Sequence, residues 1–532
     1  MPGHVRRRTD ACARAKPAVS GRAALWLTIV LSTAARAPAA LAQCPDGTPP
    51  PCHGAPSARA GAPPPSSVAV LYLDNLSRDT ADAYLADGIT EEIISRLGDI
   101  RRLTVKSRFA VQRYRGGAAR AGLSAIGHAL GASYIVTGSV QRSGSRLRVT
   151  AELARVTSGD RVWGRQYERG DGDVFAIMTD VAQNVVEGIA GSLLPDEERR
   201  LRARPTESRD AYDHLLRGDV LLAQRTPVSV RQAVAEYEAA TRRDPTLVGA
   251  WAKLSVAYGI LVQRGWTSDG RPPADSLSER SIDAAARALT LDSTSSDAWM
   301  AEGYARMVRD PLGWQGAEDG FRRAVALSPR NAEAWHQLGD LLAAMGRDGE
   351  AIASYRAALD AEPGRPVSML SLAATGSAQQ ALAVCDSVLA VDPSSSNAYV
   401  LRALVRLRVG DTTGARADRA SLERVIPVGA EFGTRALAAR LTLSLGDTAD
   451  ARRRALALLA ALPASGPVHM RIAGLIAGVL YDVGERDAAL DLLERAPPGV
   501  GLWQQRASAR WQRDAEIQRV FARSQPPWAA GR

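Results

Sequence analysis

The 532-residue chain predicts an α/β amino-terminal domain, a mixed sheet with helices, joined to an all-α solenoid, so that the protein is predominantly helical overall. Three observations carry that expectation. Between residues 67 and 195, short apolar runs of strand length alternate with stretches of helical period. From about residue 206 onward, one pattern of aromatic, small and proline positions returns again and again. Ahead of both, a basic stretch and a short apolar run end at a small-residue site.

The basic stretch runs from Arg6 to Arg22, and the apolar run from Ala23 to Ala35 centres on Leu25-Trp26-Leu27-Thr28-Ile29-Val30-Leu31. With Ala40-Leu41-Ala42 behind them, these read as a secretory signal peptide over residues 1–42, cleaved between Ala42 and Gln43. Arg36 cuts the apolar run short of the ~20 residues that a retained membrane helix needs. The expected compartment is the periplasm of a Gram-negative-type bacterium, with no integral span after cleavage. Leu41-Ala42-Gln43-Cys44 also resembles a lipoprotein box, with Gln43 where a small residue belongs, so lipid anchoring at Cys44 is the lesser alternative. Residues 43–66 are rich in Pro, Gly and Ala and read as a flexible tether. Cys44 and Cys52 would close a small disulfide loop in an oxidising compartment. A metal pair with His53 is the alternative, resting on one short cluster.

Charge excludes one function class. The formal net charge is +10, but residues 1–42 hold +6 of it, leaving +4 spread over the other 490 residues. That is too little for the basic stripe that nucleic-acid binding requires, so no nucleic-acid partner is expected.

Val68-Ala69-Val70-Leu71-Tyr72-Leu73 is a continuous apolar run, which predicts a strand buried on both faces. Tyr84, Leu85, Ile89, Ile93 and Leu97 recur at helical spacing and predict an amphipathic helix over residues 81–97. A second strand over Leu103 to Ser107 and a helix over Leu123 to Leu130 follow. Strict alternation from Arg146 to Leu153 predicts a strand with one wet face, joined to the Tyr134 to Arg142 strand by Ser143-Gly144-Ser145. Val162 to Glu168 adds a third strand, and a helix over Val174 to Leu194 closes a domain of residues 67–195, with residues 196–209 as a linker. Asp87, Glu91 and Glu92 lie on one helix, where acids on a solvated helix face are the plain reading and acid catalysis the lesser one. Gly88 and Gly138 read as points of close packing.

The strings VAVLYLDN (Val68 to Asn75), ADGITEEI (Ala86 to Ile93), LGASYIVTGSVQRSGSRLRVTAEL (Leu130 to Leu153), SGDRVWGRQYER (Ser158 to Arg169) and DVFAIMTDVA (Asp173 to Ala182) resemble, in register, the TolB-like amino-terminal domain of bacterial repeat proteins. Tyr72-Leu73 departs from the family's usual Pro-Phe and keeps an apolar strand. The resemblance implies an α/β fold and a role in assembly or signalling at the envelope, without established catalytic residues.

From residue 210 to 525 the chain predicts stacked helix pairs and a capping helix. Trp335, Leu338, Gly339, Ala351, Tyr355, Ala358 and Pro363 spell the tetratricopeptide (TPR) pattern. Gly339 and Ala358 are small where paired helices cross, and Pro363 ends the second helix. The frame recurs at Ala233, Tyr237, Ala240 and Pro245, and again at Trp299, Gly303, Ala317, Phe321, Ala324 and Pro329, with Pro329 and Pro363 34 residues apart. Weaker units continue to Leu493, giving seven or eight pairs, and a last helix over Leu502 to Ala522 would cap the stack. By the family's pattern, Val256 and Ile260, Met300, Tyr304 and Met307, His336 and Asp340, and Leu404 and Leu407 line the concave side. This mostly apolar strip would receive an extended peptide or helix of a protein partner. Packing against neighbouring repeats, or against the first domain, is an equal alternative.

No GxxxxGK[ST], HExxH, GxSxG or CxxC motif is present, and the six histidines are scattered. No catalytic, cofactor-binding or metal residues are expected. The sequence thus predicts a non-enzymatic interaction scaffold of the cell envelope. A sensory or regulatory module signalling through a separate output protein is the alternative, because similar domains are often fused to DNA-binding, kinase or cyclase units.

Overall fold

A computed structural model of the chain describes residues 64–529 except 78–82, 117–121, 145, 171–173, 267–273, 311, 313, 427–431, 464–467, 500–501, 503–504, 506–507 and 509. The signal-cleavage residues Ala42 and Gln43 and the cysteines Cys44 and Cys52 lie outside the described residues.

The first region holds β1 (Ser67–Val70), β2 (Asp74–Asn75), α1 (Ala83–Gly98), β3 (Thr104–Val105), α2 (Arg108–Gln112), α3 (Leu123–Leu130), β4 (Tyr134–Ser143), β5 (Arg146–Arg155), β6 (Arg161–Gly170) and α4 (Val174–Ala190). The sheet runs β3-β1-β4-β5-β6, with β2 also on β4. β1 is parallel to β3 and β4, and β4, β5 and β6 form an antiparallel meander. The apolar run of β1 follows from its position: Val68 and Val70 face a core shared with α1 and α4, while Ala69 and Leu71 face a second core with Val111 of α2 and Ile126 of α3. β5 alternates as expected, with Leu147, Val149, Ala151 and Leu153 inward. Gly138 is required by close approach, because a Cβ there would lie 1.9 Å from the Thr150 carbonyl oxygen.

Two expectations are corrected here. The strand predicted over Leu103 to Ser107 shrinks to Thr104–Val105, because Ser107 turns away to cap α2 through the Ala110 amide. The predicted linker contains a helix, α5 (Pro195–Arg202), with Pro195 and three acids in its first turn and Arg199, Arg200 and Arg202 in its last. Those charges match the helix dipole. Leu201 is buried, and Glu197 is clasped by Arg102 at 2.5 Å.

The repeats form eight helix pairs among the described residues. They are α6 (Arg209–Ala223) with α7 (Pro227–Arg243), α8 (Val248–Gln263) with α9 (Ala274–Leu291), α10 (Ser296–Arg309) with α11 (Gln315–Leu327), and α12 (Ala332–Ala344) with α13 (Asp348–Ala361). Then come α14 (Pro366–Thr375) with α15 (Ala378–Val391), α16 (Ser396–Arg408) with α17 (Thr412–Val425), α18 (Phe432–Ser444) with α19 (Thr448–Ala461), and α20 (Met470–Asp482) with α21 (Arg486–Glu494). The recurring glycine has a physical cause. A Cβ at Gly218, Gly303 or Gly339 would sit 2.4, 2.6 or 2.6 Å from the ring of Tyr237, Phe321 or Tyr355 on the paired helix. The half-buried tryptophans also recur in role: the indoles of Trp251, Trp299 and Trp335 donate to the carbonyls of Pro245, Ser293 and Pro329 in the preceding turn. The terminal helix α22 (Ala515–Ala522) is shorter than expected; Trp511, buried ahead of it, packs edge-on against its Phe521.

Candidate functional site

The strip expected to line an open groove is mostly closed. Val256, Ile260, Met300, Tyr304, Met307 and His336 are all buried, and Leu404 and Leu407 are half-buried beside the carboxyl-terminal core. Asp340 accepts a hydrogen bond from the Tyr355 hydroxyl at 2.8 Å and lies 3.5 Å from His336 Nε2. At these positions, which lie in the second to fourth pairs, burial favours the packing alternative over the open strip. The physical reason is packing on their own and neighbouring pairs: Tyr304 meets the Phe321 ring edge-on and lies against Gly259, and His336 sits beside the Tyr355 ring and Ser368. Arg225, in the turn of the first pair, reaches Glu333 of the fourth. Gly265, at the end of α8, is packed so closely on His469 and Ile472 that a Cβ would meet both at 2.8 Å.

The TPR signature residues stand where the pattern puts them. Leu338, Ala351, Tyr355 and Ala358 are buried in the fourth pair, with Gly339 against the Tyr355 ring. The Pro363 carbonyl has a role that no pattern announces: it accepts a hydrogen bond from the Ser107 hydroxyl of the α/β region.

That contact belongs to a wider junction. Gly88 of α1 lets Leu216 of α6 approach to 3.4 Å from where a Cβ would be. The Tyr84 hydroxyl donates to Asp213 at 2.9 Å and accepts from Arg217 at 2.9 Å. Phe175 of α4 stacks on Tyr212 with ring centroids 3.9 Å apart. One continuous core therefore runs from Val68 to Tyr355, with α1 and α4 serving as the layer that precedes the first repeat.

Across the junction runs an unbroken line of alternating charges that sequence reading missed. Arg225 pairs with Glu333 at 2.9 Å, and Arg365 grips the other oxygen of Glu333. Arg365 also pairs with Glu362 at 2.6 Å, Glu362 with Arg108 at 3.1 Å, and Arg108 with Glu91 of α1 at 3.1 Å. Burial alone would push the Glu333 carboxyl up, but Arg225 and Arg365 outweigh it and hold that group well below the usual carboxylate range. Burial depresses His336, which leans on Ser368 and Asp340. Glu333 carried a faint signal, since it lies on the same helical face as His336 and Asp340; Arg225 carried none.

The three carboxylates of α1 are each paired with an arginine: Asp87 with Arg115 at 2.8 Å, Glu91 with Arg108 and Glu92 with Arg96 at 2.8 Å. Glu91 also accepts from the Tyr72 hydroxyl. Such pairs help hold α1 against its neighbours. Among the described residues no group of three or more His, Cys, Asp or Glu is placed to hold a metal ion, and no helix is long and apolar enough to cross a membrane. Cys385 is buried in α15, where burial pushes its thiol up to about 12.

Comparison with known proteins gives three likenesses. The chain is 32% identical over 232 residues to a Rhizobium meliloti (strain 1021) protein named "Putative adenylate cyclase 3", a match covering 42% of this chain and 39% of that protein. It thus spans about two fifths of the length of that curated relative. The crystal structure of the APC/C hetero-tetramer Cut9–Hcn1 is similar with a TM-score of 0.42 and 13% identity, covering 65% of this chain and 62% of that one. A tetratricopeptide repeat protein from Parabacteroides merdae is similar with a TM-score of 0.33 and 15% identity, covering 51% of this chain and 99% of that one. Residues 332–365 match the family model described as tetratricopeptide repeat. The fourth helix pair, α12 with α13, is therefore a tetratricopeptide repeat set in a solenoid of like pairs.

Proposed function

We propose that this chain is a non-enzymatic scaffold of the bacterial cell envelope, in which a TolB-like domain is docked on a TPR solenoid that holds a segment of a protein partner. The observation that carries this reading is the solenoid itself: stacked pairs build an extended surface of the kind that holds protein segments. The envelope assignment rests on the leader, with cleavage between Ala42 and Gln43. Because the strip is closed at the second to fourth pairs, the partner segment lies on the half-buried stretch around Leu404 and Leu407, beside the exposed Val409. The test is mild crosslinking in the cells of origin, followed by capture of the tagged full chain. A stoichiometric partner lost on Leu404→Glu with Leu407→Glu, at unchanged helical content, supports the reading; capture unaffected by that change refutes the groove assignment.

A second reading, a regulatory module acting through a separate output protein, is favoured by the likeness to a protein named as an adenylate cyclase, most of whose length lies outside the match. A captured partner that is itself a cyclase or kinase would favour this reading. Formation of cyclic AMP from ATP by the purified chain would overturn the non-enzymatic assignment.

A further inference from the structure

The sheet ends on two unlike edges. β3 is two residues long, whereas β6 runs for ten, Arg161–Gly170, without a proline. Its one irregularity, a bulge opposite Leu153 and Ala154, sits at its start, so residues 163–170 lie in regular register against residues 153–146. The Arg155 amide donates to the Asp160 carbonyl, and the carbonyls of Val136 and Val140 are taken by Leu71 and Leu76. Alternation then sends the backbone groups of Leu153, Ala151 and Val149 toward β6, where Trp163, Arg165 and Tyr167 answer them. The N–H and C=O groups of Gly164, Gln166 and Glu168 therefore point away from β5, and among the described residues they meet no other backbone group. All three residues are exposed, as are Arg165 and, at 37%, Val162. A long open edge of this kind is a template for a further strand.

We propose that β6 pairs antiparallel with β6 of a second copy of this chain, joining the two sheets into one across a two-fold axis at Gln166. The side-chain period selects that register. Residues directly opposite on antiparallel strands share a face, so the axis of a self-pairing falls on one residue position. Centred on Gln166, the strands set Gly164 opposite Glu168 and Arg165 opposite the uncharged Tyr167. The two Gln166 side-chain amides, each both donor and acceptor, then face one another. Centred one residue either way, residue 165 meets itself or position 169, arginine against arginine, and like charges directly opposite are destabilising. The Gln166 centre also uses the outward groups: Gly164, Gln166 and Glu168 of each copy fall in hydrogen-bonded pairs, giving about six interchain bonds. A second copy is the fitting occupant because it brings the same open groups in complementary order. The joined sheet then ends on the two-residue β3 at both sides, and neither long edge is left open.

The pairing goes beyond the scaffold reading and does not depend on the groove at Leu404 and Leu407. The test is sedimentation velocity of the full chain, which should pass from monomer to dimer over about 1–100 μM. Gln166→Pro removes an outward donor and no bond to β5, a position at which an edge strand tolerates proline. Gln166→Lys sets two like charges across the axis. Each should weaken dimerisation at least about tenfold. If the Pro variant loses native circular dichroism, the Lys variant carries the test. Disulfide trapping reads the register, with the unaltered chain and its own four cysteines as the blank. In Gln166→Cys the facing α-carbons lie about 5.5 Å apart, within disulfide reach; in Glu168→Cys the two copies of residue 168 are offset along the strands by about 13 Å, beyond it. Mild oxidation should give a covalent dimer of the first variant and none above the blank for the second. A chain that stays monomeric to about 100 μM, a dimer unmoved by the folded Gln166 variants, or equal trapping of the two cysteine variants overturns the proposal.

Discussion

Arg108→Ala should weaken the docking of the α/β region on the repeats by about 1–2 kcal/mol, a size set by what remains when it goes. Arg108 sits between Glu91 and Glu362 at 3.1 Å from each, with side chains 29%, 22% and 20% exposed. At an effective dielectric of ~20, a pair of unit charges at ~4 Å gains about 4 kcal/mol before desolvation is subtracted. Fully exposed pairs keep about 0.2–1 kcal/mol of that, and breaking a fully buried pair costs about 3–5 kcal/mol. Removal of Arg108 leaves neither acid orphaned, since Glu91 keeps the Tyr72 hydroxyl and Glu362 keeps Arg365. The cost therefore falls between those limits. The assay is urea unfolding at neutral pH of the unaltered chain, Arg108→Ala, Glu362→Ala and the double variant. The expected coupling is about 0.5–1 kcal/mol, persisting in added salt because the pair is largely enclosed. A coupling within about 0.3 kcal/mol of zero would refute the idea that this pair ties the two regions together.

Two further outcomes follow from charges inside the repeats. Asp418 is buried and takes Arg402 at 2.6 Å and Arg406 at 2.8 Å; Asp418→Ala should cost about 2–3 kcal/mol, below the full buried-pair range because both arginines keep other partners, and a loss under about 1 kcal/mol in urea melts would contradict this. Glu333 has a folded pKa depressed below its ordinary value of 4.5, so it binds fewer protons folded than unfolded near that pH. Its stabilising contribution is complete above 4.5 and is lost as pH falls through the lower native value. Glu333→Gln should therefore flatten the acid side of a plot of melting temperature against pH, and an unchanged slope would count against it.

Local rules made much of the fold legible. The unbroken apolar run at Val68 to Leu73 reflects a strand with a core on either side, and strict alternation at Arg146 to Leu153 reflects a sheet with one wet face. The TPR frame was legible because Gly339 and Tyr355 must interlock wherever such helices cross. What stayed hidden depends on the path of the chain in space. The burial of Tyr304 and His336 comes from Phe321 and Tyr355 of their own pairs and from Ser368 of the next, so a position on a first helix does not by itself say whether it lines a groove. Arg225 meets Glu333 only because the first turn swings over the fourth pair. The helix at Pro195 was overlooked because a charged, apolar-poor segment gives no periodic stripe, although its dipole-matched ends were readable.

The hydrogen bond from Ser107 to the Pro363 carbonyl joins residues 256 positions apart, and this has a consequence for the order in which the chain can fold as it emerges. The amino-terminal sheet waits for those residues to follow it before its last contact can be made. Its α1–α4 face finds α6 sooner, but Ser107 and Arg108 remain unpaired across the junction until the fourth helix pair has emerged. A nascent chain stalled within that interval carries an apolar helix layer without its full cover, which makes it a target for chaperone holding and for proteolysis. The length of the solenoid thus sets a clock on when the first-made part of the protein becomes safe.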